Sequence, residues 1–295
     1  MAILARGFDQ TNLSGSVGGV TYRRVGGVTV ASQKVPMHVE HKRTALLMLT
    51  RMKWVNLVAL WKVINKTGWH PSFQRENRRV SDFNMFLRAN FPAAATFIEK
   101  GISRAYGSVV APVRLTSGSV LTPVAAEFGS GHVPESNLSC PITIGNSTTL
   151  KAFSVAIAES NNGWLIGDKL TILIVRQGVV NGIPTGEATA LSVTLDDSDS
   201  AETTMLSDIV DVSLLAVVDG YLALSGPVNG GVAFVHSRLV NGETICSTAD
   251  LLVENTVLST YQGLAAFNKA AESYGGIARN YLLTPDIDTT IAELI

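Results

Sequence analysis

The chain has 295 residues, 46% of them apolar and 16% charged, with two cysteines and a formal net charge of −1. That length fits one large domain or two, the apolar share excludes a disordered chain, and two cysteines are too few for a secreted disulfide framework. No apolar run approaches the ~18 residues of a membrane span, and the opening MAILARGFDQ lacks the apolar stretch of a secretory signal, so a soluble protein made in the cytoplasm, without a membrane partner, is expected.

The near-neutral total hides two opposed parts. Through Arg104 the chain holds 16 Lys+Arg against 5 Asp+Glu, whereas the remaining 191 residues hold 7 against 19. Three readings of this division stay open. The basic part can neutralise nucleic-acid phosphates, it can face the acidic part of the next copy, or both can be solvated surfaces without a partner.

In chain order, GSVGGVTYRRVGGVTVAS (15–32) reads as a β-hairpin, with strands at 20–25 and 28–32 around Gly26-Gly27. Val20, Tyr22 and Arg24 alternate onto one side, Thr21, Arg23 and Val25 onto the other, and neither side is purely apolar. An isolated hairpin is marginal in water, so it must dock on this chain or on a neighbour. Its glycines are no phosphate cradle, since no Gly-Lys-Ser/Thr follows.

A long helix is expected over 43–66, stopped by Gly68 and Pro71. Leu46, Leu47, Trp54, Leu57, Val58, Trp61 and Ile64 share one face, and Met48, Met52, Val55, Ala59 and Val63 form a second apolar set opposite. A helix apolar on nearly all sides is buried on both. The second set is expected at an interface with another copy, the alternative being the centre of a helical bundle in this chain. Ser81 caps a further helix through Phe83, Phe86 and Leu87, and Pro92 opens a run continuing to Arg104. Arg75, Arg78, Arg79 and Arg88 interleave with aromatics that could stack on bases, although such aromatics more often form the core of a small helical domain.

Beyond Val109 the chain turns to Val, Thr, Ser and Gly. Strands are expected at 109–116, 120–126, 170–177 (LTILIVRQ, a buried strand), 191–195, 210–218, 221–225, 232–239 and 243–248, with Asn241-Gly242 joining the last two. Helices are expected at 150–160 and 261–274. The predicted class is α+β: an N-terminal arm with a β-hairpin (1–42), a basic helical module (43–107), and an acidic, β-rich, sandwich-like domain with inserted helices (108–295).

Tests for chemistry return little. His38, Glu40 and His41 (HVEH) place the histidines at i and i+3 rather than the i and i+4 of a metalloprotease helix, which favours a surface loop. Asp196, Asp197, Asp199 and Glu202 lack the central glycine and spaced glutamate of a calcium loop. Cys140 and Cys246 read as inert small apolar residues, and His132 and His236 have no evident nucleophile or acid partner. No catalytic residue, cofactor or metal is assigned, and an enzyme is not expected.

LSGSVGGVTYRRVGGVTV (13–30), the Lys42-Arg43-Thr44 helix start, VAPVRLTSGS (110–119), IGDKLT (166–171), FVHSRLVNGETICST (234–248) and SYGG (273–276) together resemble proteins of Bacteroidota prophages and crAss-like tailed phages. The resemblance implies a structural virion protein forming a homo-oligomeric ring in the neck or tail connector, with the portal or neighbouring tail rings as partners. Val20, Tyr22, Arg24, Met48, Met52, Val55, Ala59 and Val63 are the expected interface residues. Arg23, Arg24, Arg75, Arg78 and Arg79 are expected to face genomic DNA in a lumen. The alternatives are a nucleic-acid-binding protein using the basic part and a head-decoration or capsid-associated protein.

Overall fold

The computed structural model describes residues 15–25, 28–33, 45–74, 80–120, 124 and 126–274. The chain divides into two compact units, Met1–Arg43 and Thr44–Ile295, and its class is α+β.

In the first unit, β1 (Gly15–Val17), β2 (Val20–Val25) and β3 (Val28–Gln33) form a three-stranded antiparallel sheet in the order β1-β2-β3. The expected hairpin is there, with Tyr22 opposite Ala31 and Arg23 opposite Val30. A third strand precedes it through the tight Gly18-Gly19 turn, where Gly18 takes a φ of 58°. No described side chain of this sheet is buried. A sheet of this size needs one apolar face against something to be stable, and this one presents Tyr22 and Val20 half-buried, with Arg23 and Val30 exposed.

The second unit is built around a sheet of five strands: β8 (Lys169–Val180), β9 (Ile183–Thr194), β12 (Gly230–Val240), β13 (Glu243–Cys246) and β15 (Leu252–Glu254). The order is β13-β12-β8-β9, with β15 also on β12, all antiparallel. Asn181-Gly182 and Asn241-Gly242 turn the β8–β9 and β12–β13 hairpins, all four residues at positive φ between 52° and 79°, as type I′ turns require. The run expected at 170–177 is the middle of β8, whose burial on both faces explains why its sequence does not alternate.

One face of this sheet presents Leu170, Ile172, Ile174, Leu191, Val193, Val232 and Phe234 to α4 (Leu150–Ser160) and to a second sheet. That sheet runs β10 (Leu215–Val218), β11 (Tyr221–Leu224), β7 (Pro134–Ser139), β6 (Ala126–Phe128). Thr149 caps α4 by accepting from the Ala152 N–H. Two apolar sheet faces meeting in this way are the expected sandwich-like part.

The opposite face, with Leu173, Val175 and Ala233, meets α1 (Ala45–Asn65) and α2 (Asp82–Asn90) through Leu57, Leu60, Ile64, Phe86 and Leu87. Strands β4 (Ser72–Phe73), β5 (Arg114–Ser117) and β14 (Ala249–Asp250) form a small sheet beside them. Ser81 caps α2 as expected. The described helical residues and the central sheet therefore share one core, so 107/108 is not a break in packing.

The run from Pro92 to Arg104 is helical only at α3 (Lys100–Arg104). Phe97 donates its N–H to the Tyr261 carbonyl, and Phe97 and Ile98 are buried; this long-range bond holds 94–99 out of a helix. Two further helices, α5 (Asp199–Thr203) and α6 (Gly263–Ser273), complete the unit. Among the described residues, no helix is long and apolar enough to cross a membrane.

Candidate functional site

Within the second apolar set of α1, Met52 is covered inside the chain, which corrects its assignment to an interface. Met52 is fully buried and packs with Phe97, Ala266, Phe267 and Ala270. Val63 packs on the sheet-side core, and Val55 and Ala59 are half-buried. Helix α6 lies more than 200 residues downstream of Met52, and no periodicity within α1 announces it. The side chain of Met48 lies outside the described residues. The exposed aromatic of the helix is instead Trp54, 44% exposed and edge-on to Phe83.

Of the arm residues, Val20 and Tyr22 are half-buried and share one side of β2; the side chain of Arg24 is outside what is described. Arg23 is exposed, while Arg75, Arg78 and Arg79 lie outside the described residues, as do His38, Glu40 and His41.

A feature not legible in the sequence is an unpaired edge on the central sheet. The Pro184 carbonyl accepts from the Ser108 N–H, and the Gly186 N–H donates to Ser108 Oγ, 2.8 Å each. Even-numbered residues of β9 therefore turn their backbone polar groups away from β8. Beyond Gly186 the row continues through Ala188, Ala190, Ser192 and Thr194, where β9 pairs with β8 alone among the described residues. Such a row is a template for strand addition.

At the end of this edge lies an open groove of about 570 Å³, lined by residues including Ile166, Lys169, Ser192, Thr194, Asp196 and Ile209. Ile166 and Ile209 are 40% and 42% exposed. The acidic run follows directly. Asp196 accepts from the Ser198 N–H at 2.9 Å, a bond that leads the causes holding its carboxyl below the ordinary value. Glu202 pairs with Lys151 at 2.9 Å. The first is a bond within a turn and the second ties α5 to α4.

Charge separates the two units as well. Residues 1–43 carry six Lys+Arg against two Asp+Glu, a balance of +4; residues 44–295 carry 17 against 22, a balance of −5.

The remaining chemical candidates are held in contacts within the fold. Cys140 and Cys246 are buried free thiols, and burial pushes both up from their ordinary pKa. His132 meets Glu254 at the surface. His236, for which the sequence offered no partner, is fully buried and holds Asp168 Oδ2 at 2.9 Å. Arg238 closes on the same carboxylate with Nε 2.6 Å from Oδ1 and Nη2 2.7 Å from Oδ2. Burial opposes ionisation of Asp168, but Arg238, the Leu165 N–H and His236 outweigh it and hold the carboxyl below its ordinary value. This cluster lines none of the cavities described here and ties the 163–168 turn to β12. Among the described residues no three His, Cys, Asp or Glu side chains are grouped to hold a metal.

Compared with known proteins, the chain matches no family model, no curated protein and no solved structure.

Proposed function

We propose that the chain is a self-assembling structural subunit of a tailed-phage particle, closing a homo-oligomeric ring in the neck or tail. In this reading each copy's arm adds strand β3 to the β9 edge of its neighbour. The observation that carries the assembly reading is the pairing of needs between the two units: a basic three-stranded sheet none of whose described side chains is buried, and an acidic body in which β9, among the described residues, pairs with one strand only. Backbone hydrogen bonds along 188–194 would supply the affinity, and Ile166 and Ile209 would receive β-branched side chains such as Val30. Complementary charge would set which surface meets which. Heterologous, arm-to-body contacts generate rings where the rotation closes. The placement in a phage particle, with portal or tail rings as neighbours, is supported by the resemblance of the segments quoted above.

The test is cysteine cross-linking in the full chain. Val30→Cys and Thr194→Cys place thiols on exposed positions of β3 and β9, while the native thiols are buried. Mild oxidation of the double variant is expected to give a ladder of covalent multimers, with single variants giving at most dimers. Absence of a ladder at every concentration, or closure within single chains only, overturns the exchange.

A further inference from the structure

Helix α1 carries a largely covered lysine, Lys53, that no described group neutralises. Lys53 is 5% exposed, and among the described residues its ammonium makes no hydrogen bond or ion pair. Unpaired buried ammonium groups are costly, and burial alone lowers this one from its ordinary pKa. Lys53 lines a partly enclosed cavity of about 100 Å³, between α1, residues 93–96 and residues 111–113. Leu57, Ala94, Ala111 and Val113 make apolar walls. Asn56 is held by Val109, donating to its carbonyl and accepting from its N–H, 2.9 Å each. Thr96 and Gln262 are the other polar side chains on the wall, and no Asp or Glu lines it.

We propose that this cavity binds a carboxylate on a short aliphatic stem, with the Lys53 ammonium as counter-charge and Thr96 and Gln262 as further hydrogen-bonding groups. The charge is single and of one sign, so it selects a monoanion. The alanine-rich wall favours an aliphatic stem over a hydrated inorganic ion. The volume of about 100 Å³ suits a small acid of two or three carbons. Free propionate has this chemistry, and so has an Asp or Glu side chain of a second copy. A charge-assisted bond of this kind is roughly twice as strong as a neutral one.

The experiment uses the full chain and sodium propionate, with sodium chloride at matched ionic strength as control. Thermal unfolding is followed alongside 13C NMR of lysine Cε. Propionate is expected to raise the unfolding temperature by mass action and to move the Lys53 signal to saturation. Lys53→Met keeps the stem and should lose the temperature gain; Thr96→Val keeps the ammonium and should weaken binding. Equal effects of propionate and chloride, or an undiminished gain in Lys53→Met, overturn the site. Repeating the titration on associated and dissociated protein separates the two sources. If association moves the Lys53 signal and excludes propionate, the carboxylate comes from another copy; if propionate binds equally in both, the ligand is a free acid.

Discussion

Trp164 lies flat against His236, ring centroids 3.8 Å apart and planes 11° from parallel. The stacked imidazole and Arg238, both on β12, grip the Asp168 carboxylate. Indole, imidazole and guanidinium thus convert the 163–168 turn into a fixed corner of the central sheet.

Asp168→Asn removes the charge that both partners are arranged around. Breaking a fully buried pair costs ~3–5 kcal/mol, and because Arg238 can turn toward water the expected loss is about 2–3 kcal/mol. Chemical denaturation at neutral pH measures it. Because the native pKa lies below 3.8, the unfolded chain takes up the proton first as pH falls. The Asp168 contribution is therefore present above 3.8 and is lost as pH drops through the lower native value. The variant should show a shallower acid decline than the native chain.

For Lys53 the sign is reversed. Its native pKa lies below 10.5, so the cost of burying the charge is full below the native value and is relieved as pH rises toward 10.5. Around it, the cavity wall holds no other charged side chain, and Lys269 on α6 is engaged by Glu99 at 2.8 Å. Lys53→Met is expected to be more stable than the native chain at neutral pH, the gap narrowing toward pH 10. Denaturation of both chains at pH 7 and pH 10 checks this; a less stable variant at pH 7 would contradict it.

The two faces of the central sheet should unfold together, because β8 and β12 serve both cores. Phe86 lies in the helix-side core and Phe234 in the other, each almost fully buried. Truncating either to Ala is expected to cost about 3–5 kcal/mol and to shift one common transition. Calorimetry resolving a separate transition in the Phe86→Ala variant would show that the helices are an independent domain.

Ala190→Pro discriminates the β9 edge from the fold that carries it. The Ala190 N–H points away from β8, and an edge position turned outward is where proline is tolerated in a sheet. Light scattering after size exclusion at low salt should show the native chain as a discrete multiple and the variant as a smaller species, with the unfolding transition retained. High salt should dissociate the native assembly by screening the arm's charge. Unchanged mass in the variant would remove β9 as the docking edge.

Local chemistry determined a good part of this protein. Ser81 places an acceptor before the α2 run, Asn241-Gly242 supplies the positive φ of a type I′ turn, and the unbroken apolar run in LTILIVRQ marks a strand buried on both faces. Each is settled within a few residues, so each is readable from order alone, and so is the opposition of basic and acidic parts. Tertiary structure decided the rest. Helix α6 covers Met52, the Tyr261 carbonyl draws 94–99 out of a helix, and sheet register brings Asp168 to His236 across 68 residues. Among the described residues the same closure leaves Lys53 without a counter-charge and residues 188–194 of β9 without a second strand. Those outcomes depend on which distant segments meet, and hydrophobic patterning specifies that a face is buried without specifying what buries it.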